Sequence, residues 1–207
     1  MAYATIQRGA SKDGYFAVPA EGSSFFISQM QAVQFGVREN QELTESEFYQ
    51  LRTQVLSQRC RIKAMDYLAR REHGRRELEL KLQQKNFPQE IIKTQLDDLA
   101  AQNLLSDERF AEQYIVSRQR KNPEGPAVLI MRLQQRGIDR SVAETVVQQW
   151  FSDEEAAQRA IENAAQRLGR KYADDTFKLT HELRRKGFSS AAIRAYLENR
   201  VTNDKCY

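Results

Sequence analysis

From residue 60 onward, apolar and polar positions follow a pattern that repeats. Leu82-Gln-Gln-Lys85-Asn86-Phe87, Leu133-Gln-Gln-Arg136-Gly137-Ile138 and Leu183-Arg-Arg-Lys186-Gly187-Phe188 align at offsets of 51 and 50 residues. Self-similarity at such a period announces a repeat architecture. The phrase reads as a helix stop, because Asn86, Gly137 and Gly187 are the residue types that accept the left-handed conformation just past a helix end. Four residues earlier, Leu82, Leu133 and Leu183 lie inside the last turn, and one residue later come Phe87, Ile138 and Phe188. Each leucine is thereby set to meet its apolar partner across the end, as in a Schellman-type stop. Lys85, Arg136 and Lys186 complement the negative end of the helix dipole.

The same alignment predicts the flanking helices. Asp139 and Ser189 are N-cap types, and Pro88 suits an early helical position. Ile92, Ala143 and Ile193, with Leu96, Val147 and Leu197 four residues on, mark the buried stripe of the helix that follows. A leading helix starts at Ser106-Asp107 and at Ser152-Asp153, where Ser152 and Glu155 have capping-box spacing. Its stripe is Phe110, Ala111, Tyr114 and Ile115 in one copy and Ala157, Ile161, Ala164, Ala165 and Leu168 in another. Connections at Gly74, Gly125-Pro126 and Asp174-Asp175 lead to the helix that ends in the shared phrase. Three helices in about 50 residues bury too little surface to stand alone and are expected to stack. The expectation is a mainly α protein of three tandem three-helix repeats, 55–105, 106–151 and 152–207, in an elongated curved array.

Residues 1–54 are less regular. Gly9, Gly14, Pro19, Gly22 and Gly36 punctuate short runs such as Tyr15-Phe16-Ala17-Val18 and Phe25-Phe26-Ile27, which predict short β-strands. Thr44 and Glu47 form a possible capping box for a helix from about Glu45.

Composition narrows the class. A chain with 41% hydrophobic and 29% charged residues suits a folded protein. No apolar run reaches the roughly 20 residues of a membrane span, and no secretory core follows a basic N-terminus. A cytoplasmic location is expected, with Cys60 and Cys206 as reduced thiols. The net charge of +4 is unevenly placed: residues 1–54 carry −2 and the remainder +6. A basic array behind a slightly acidic head points weakly to a polyanion or an acidic protein surface.

Catalytic signatures are missing from the sequence: there is no phosphate-binding glycine loop, nucleophile elbow or His-Glu-x-x-His pair. His73 beside Gly74 reads as a turn residue, and His181 has no evident nucleophile in sequence. Asp97-Asp98 and Asp107-Glu108 read as dipole partners of helix starts ahead of metal ligands. No enzyme activity, cofactor or small-molecule substrate is expected. The more informative feature is clustered cations: Arg59, Arg61 and Lys63; Arg70, Arg71, Arg75 and Arg76; Arg118, Arg120 and Lys121; Arg167, Arg170 and Lys171. Any one of these could be a solvated helix position paired with an acid. Together they suggest an anionic partner, since guanidinium forks take carboxylate or phosphate oxygens in pairs. Lys63, Arg70 and Arg71 are expected to share one side of a leading helix. Tyr114, Tyr172 and Phe177 lie near basic groups, with core packing the first expectation and base stacking the second.

Leu105-Ser-Asp107-Glu108-Arg109-Phe110-Ala111, the Gly125-Pro126 turn and Leu133-Gln-Gln-Arg-Gly137-Ile138 resemble the RecX family of recombinase regulators, over residues 60–200. That resemblance implies tandem helical repeats that bind RecA in the groove of its filament on single-stranded DNA and modulate, most often inhibit, its ATPase and strand exchange. It would place the chain, as a monomer, in the regulation of homologous recombination, DNA repair and the SOS response. The alternative is a helical DNA-binding protein acting through phosphate contacts. In this chain Asn86 replaces the glycine of the other stops, and the first 50 or so residues lie outside the family's common core. A docking extension and a stability cap are both open for them.

Overall fold

The computed structural model describes residues 2–9, 13–172 and 175–204, with the side chains of 170, 171 and 201–204 excepted. The fold is mainly helical with a small N-terminal antiparallel sheet. It divides into two compact units, residues 1–67 with 81–98 and residues 68–80 with 99–207.

The first unit opens with strands β1 (Ala4–Arg8), β2 (Gly14–Pro19) and β3 (Phe25–Ser28). Helix α1 (Gln29–Phe35), the two-residue strand β4 (Glu42–Leu43) and the long helix α2 (Glu45–Leu68) follow. The sheet order is β3-β2-β1-β4, antiparallel throughout, with Ile6 opposite Ala17 and Ala4 opposite Leu43. Alternation puts Ala4 and Ile6 on the inner face, where Ala17, Ile27 and Ala32 join Phe48, Leu51 and Val55 of α2 in one core. Thr44 starts α2 as expected: its hydroxyl accepts from the Glu47 amide at 3.3 Å, while the Glu47 carboxylate accepts from the Thr44 amide at 2.7 Å. Helix α1 was not expected from the sequence, although Ser28 and Gln31 make a capping box and Gly36 closes it at φ 68°.

Helices α3 (Arg75–Gln83) and α4 (Gln89–Ala101) come next. Helices α5 (Asp107–Lys121), α6 (Pro126–Gln135), α7 (Arg140–Phe151), α8 (Glu154–Tyr172), α9 (Thr176–Arg185) and α10 (Ser190–Asp204) complete the described chain. In the second unit α5 and α6 each pack on α7, and α8, α9 and α10 pack on one another. The expected stripes form the two cores there. Phe110, Ala111, Ile115, Leu129, Leu133, Ala143 and Val147 make one; Ile161, Ala164, Leu179, Leu183, Phe188 and Ile193 make the other, and Trp150 and Phe151 border both.

The helix stops have the predicted bonding. The amides of Phe87, Ile138 and Phe188 donate to the carbonyls of Leu82, Leu133 and Leu183, and those of Asn86, Gly137 and Gly187 to Gln83, Gln134 and Arg184. The stop residues have φ of 59°, 82° and 89° in chain order. Three local expectations need correction. Asp97 and Asp98 lie in the second half of α4 and not at a helix start. Ser152 does not open α8; its hydroxyl donates to the Gln149 carbonyl and closes α7, while the Asp153 carboxylate caps the Ala156 amide at 3.1 Å. The link between α7 and α8 is so short that adjacent residues end one helix and start the next. Likewise α2 ends at Leu68, so Arg70 and Arg71 lie in the following turn and not on its face with Lys63.

Candidate functional site

The acidic-Arg-Phe-Ala segment at the start of α5 fastens the loop that precedes α3. Ser106 caps α5 by accepting from the Arg109 amide. This leaves the Asp107 carboxylate to accept from the Arg75 amide at 2.7 Å, so one acid serves the first turns of two helices. Arg109 reaches back to Glu72 at 2.8 Å and to Asn103 at 2.8 Å. Phe110 and Ile138 close on Gly74, where an added Cβ would lie 3.3 and 3.1 Å from their rims. His73 is buried here, with its Nδ1 3.1 Å from a Glu77 carboxylate oxygen that Arg71 also binds. Burial pushes the Glu77 carboxyl up, but the Arg71 hydrogen bond and the charges of His73 and Arg71 outweigh it and leave the group below its ordinary 4.5.

A groove of about 850 Å³ runs beside this joint, within the second unit. Arg71, Arg76 and Leu80 from the α3 region line it together with Phe110 and Tyr114 of α5 and Arg136 at the end of α6. Arg136 places its guanidinium 4.5 Å from the Tyr114 ring centroid, a cation–π contact worth about 0.5–1 kcal/mol at an exposed site. The two acids on the lining are already engaged, Glu72 with Arg109 and Glu77 with Arg71. Arg76 and Arg136 are not ion-paired among the described residues, and both are exposed.

The remaining cations divide into those used internally and those that stand out. Arg118 grips the Glu124 carboxylate with two nitrogens at 2.6 and 3.2 Å, and Arg132 binds the same group at 2.9 Å. The Glu124 hydrogen bond raises the Arg118 pKa. Lys186 donates to Asn122 at 2.7 Å and to the Pro123 carbonyl; burial lowers its pKa against the pull of Glu124. Arg167 donates to the carbonyls of Arg120 and Lys121. Arg59 donates to the Phe26 carbonyl at 2.8 Å, Lys63 lies over Tyr67 and pairs with Asp66, and Arg61 is half-buried. Arg70, Arg120 and Lys121 are exposed, whereas the side chains of Arg170 and Lys171 lie outside the described residues. Tyr114 and Tyr172 are half-buried, but Phe177 is 83% exposed.

Gly125 and Pro126 belong to a second joint of the same kind. The Gly125 amide donates to the Lys186 carbonyl at 2.8 Å, and the Ala127 amide to Gly187. A Cβ on Gly125 would stand 2.3 Å from the Gly187 carbonyl, and one on Gly187 would stand 2.6 Å from the Val128 nitrogen. Sequence reasoning had assigned no role to Glu124, Arg132 or Asn122 and saw Arg136 only as a dipole partner. An acid just before Gly-Pro, six residues after an arginine, was the available signal.

A small sheet followed by consecutive three-helix modules, with cations displayed around a part-apolar groove, defines a modular helical protein. Family models agree with the modules: RecX, first three-helix domain, matches residues 60–99, and RecX, second three-helix domain, matches residues 106–147. The chain is 40% identical to the regulatory protein RecX of Pseudomonas entomophila (strain L48) over 147 residues, 68% of this chain and 91% of that one. It is 33% identical to the regulatory protein RecX of Chlorobium phaeobacteroides (strain BS1) over 65% of this chain and 89% of the relative. The chain belongs to the RecX family of regulatory proteins. Its fold matches a crystal structure of regulatory protein RecX with a TM-score of 0.72 at 22% identity, covering 96% of this chain and 100% of the other. The crystal structure of RecX from Lactobacillus salivarius matches at 0.61 and 23%, over 70% and 96%.

Proposed function

We propose that this chain binds the RecA recombinase, or its filament on single-stranded DNA, and lowers its ATP hydrolysis and strand exchange, so regulating recombination and DNA repair from the cytoplasm. Membership of the RecX family is the observation that carries this reading. The geometry supports it in kind: joints such as Gly74 with Ile138 and Gly125 with Gly187 stiffen a scaffold from which Arg70, Arg76, Arg120, Lys121 and Arg136 project. The proposed units of the grip are the three-helix repeats 55–105, 106–151 and 152–207, acting in a monomer. Occupying two neighbouring protomers would favour one of their relative arrangements and so alter turnover without a catalytic residue here.

Adding the purified protein to RecA on single-stranded DNA should slow ATP hydrolysis at near-stoichiometric ratios; an unchanged rate overturns the reading. Direct binding to DNA is the second reading, favoured by exposed Arg120 and Lys121 beside one another on the last turn of α5. It requires affinity for naked DNA that falls by about one log unit per log unit of salt for each phosphate contacted.

A further inference from the structure

We infer that the groove of Arg71, Arg76, Leu80, Phe110, Tyr114 and Arg136 is a docking site for an acidic protein segment carrying one apolar anchor side chain, and not a track for nucleic acid. The inference rests on the proposed regulation of a protein partner and says which surface receives it.

Three observations decide the occupant. The first is charge. Glu72 and Glu77 on the lining are held by Arg109 and Arg71, whereas Arg76 and Arg136 present guanidinium groups that no described carboxylate pairs. Planar guanidinium forks take carboxylate or phosphate oxygens alike, so the acids of the lining decide between the two; separate carboxylates can be spaced to avoid them. A continuous phosphate backbone would instead have to pass the two acids of the lining, and like charges oppose it. The second is the apolar lining. Leu80 is 48% exposed, and the half-buried Tyr114 ring lies 4.5 Å from the Arg136 guanidinium. An apolar anchor covering these atoms would be desolvated at the centre of the contact, with the two arginines at the rim. The third is rigidity. The Asp107–Arg75 and Arg109–Glu72 bonds and the Phe110 packing hold the start of α3 against α5, so binding has only exposed side chains of the groove left to order.

The test uses the full chain and two variants of the groove, Arg136→Glu and Leu80→Glu, with the double variant Lys93→Glu/Arg194→Glu, at two exposed cations away from the groove lining, as the comparison outside it. Thermal melts of all three establish folding, and Arg76→Ala serves if either groove variant melts early. The first probe is a fluorescein-labelled synthetic peptide with one leucine flanked by glutamates, read by anisotropy against the same peptide with glutamines. The expected result is preference for the acidic peptide, weakened about tenfold or more by either groove variant and within about twofold of the original in the outer one. Equal binding of the two peptides overturns the inference, whatever RecA does. The second probe is ATP hydrolysis by RecA on single-stranded DNA together with binding to a naked oligothymidylate. Groove variants should need about tenfold more protein to slow hydrolysis while holding the oligonucleotide unchanged. Groove variants that lose oligonucleotide binding in parallel assign the groove to nucleic acid and overturn the inference. If the unaltered chain leaves hydrolysis untouched but prefers the acidic peptide, RecA regulation fails and the docking site stands.

Discussion

The stop at Asn86 and the stops at Gly137 and Gly187 share one backbone conformation and one pattern of hydrogen bonds, yet their surroundings differ in a graded way. Asn86, in the first unit, is exposed. At Gly137, in the second, an added Cβ would meet the flexible stem of Arg76, and at Gly187 it would meet the backbone nitrogen of Val128 at 2.6 Å. Asparagine tolerates φ near 60°, as at Asn86, whereas the 82° and 89° of Gly137 and Gly187 already favour glycine before any contact is counted. Close approach demands it at Gly187, where a backbone cannot swing aside as a side chain does. A repeated phrase thus carries a constant local task and a variable tertiary one.

Placing asparagine at each stop separates the two tasks. Gly187→Asn should cost about 3 kcal/mol, because the Val128 backbone must shift, and Gly125→Ala should match it from the other side of the same joint. Calorimetry of the variants checks this; a loss below about 1 kcal/mol in both would mean the joint is loose. Next in size is Glu124→Ala, which leaves Arg118 and Arg132 facing an empty position. Breaking a buried pair costs about 3–5 kcal/mol, but both guanidinium groups can reach water, so about 2 kcal/mol is expected from urea melts. The smallest effects fall at the other stops. Gly137→Asn should cost about 1 kcal/mol while Arg76 moves aside, and Asn86→Gly should stay within about 0.5 kcal/mol. Equal losses at Gly137 and Gly187 would remove the gradient on which the comparison stands.

The helical pattern was legible from the sequence. The three stops, the caps at Thr44, Asp139 and Ser189, and the stripes from Phe110 to Ile193 all depend on residues within five positions of one another. Legibility failed where two local tasks competed for one residue. Ser152 and Asp153 are both capping types, and only the length of the link between α7 and α8 assigns them. Helix α1 was hidden because its seven residues are too few to show a period, and Arg70 and Arg71 were misplaced because no stop phrase marks the end of α2.

The candidate site was legible only as a list of cations. Arg71, Arg75, Arg118 and Arg167 look alike in the sequence, but the fold commits Arg71 to Glu77, the Arg75 amide to Asp107, Arg118 to Glu124 and Arg167 to two carbonyls. Arg136, read as a helix-end charge, became one side of the groove.

By itself, then, the sequence determined where helices start and stop and which faces they bury, because those outcomes rest on short-range hydrogen bonds and periodicity. The tertiary structure decided which arginines remain outward and why Gly125 and Gly187 must be glycine. The glycines depend on loops far apart in sequence meeting so closely that an added Cβ would lie within 3 Å of backbone, and the arginines on which carboxylate or carbonyl the folded chain brings within reach; no local pattern encodes either.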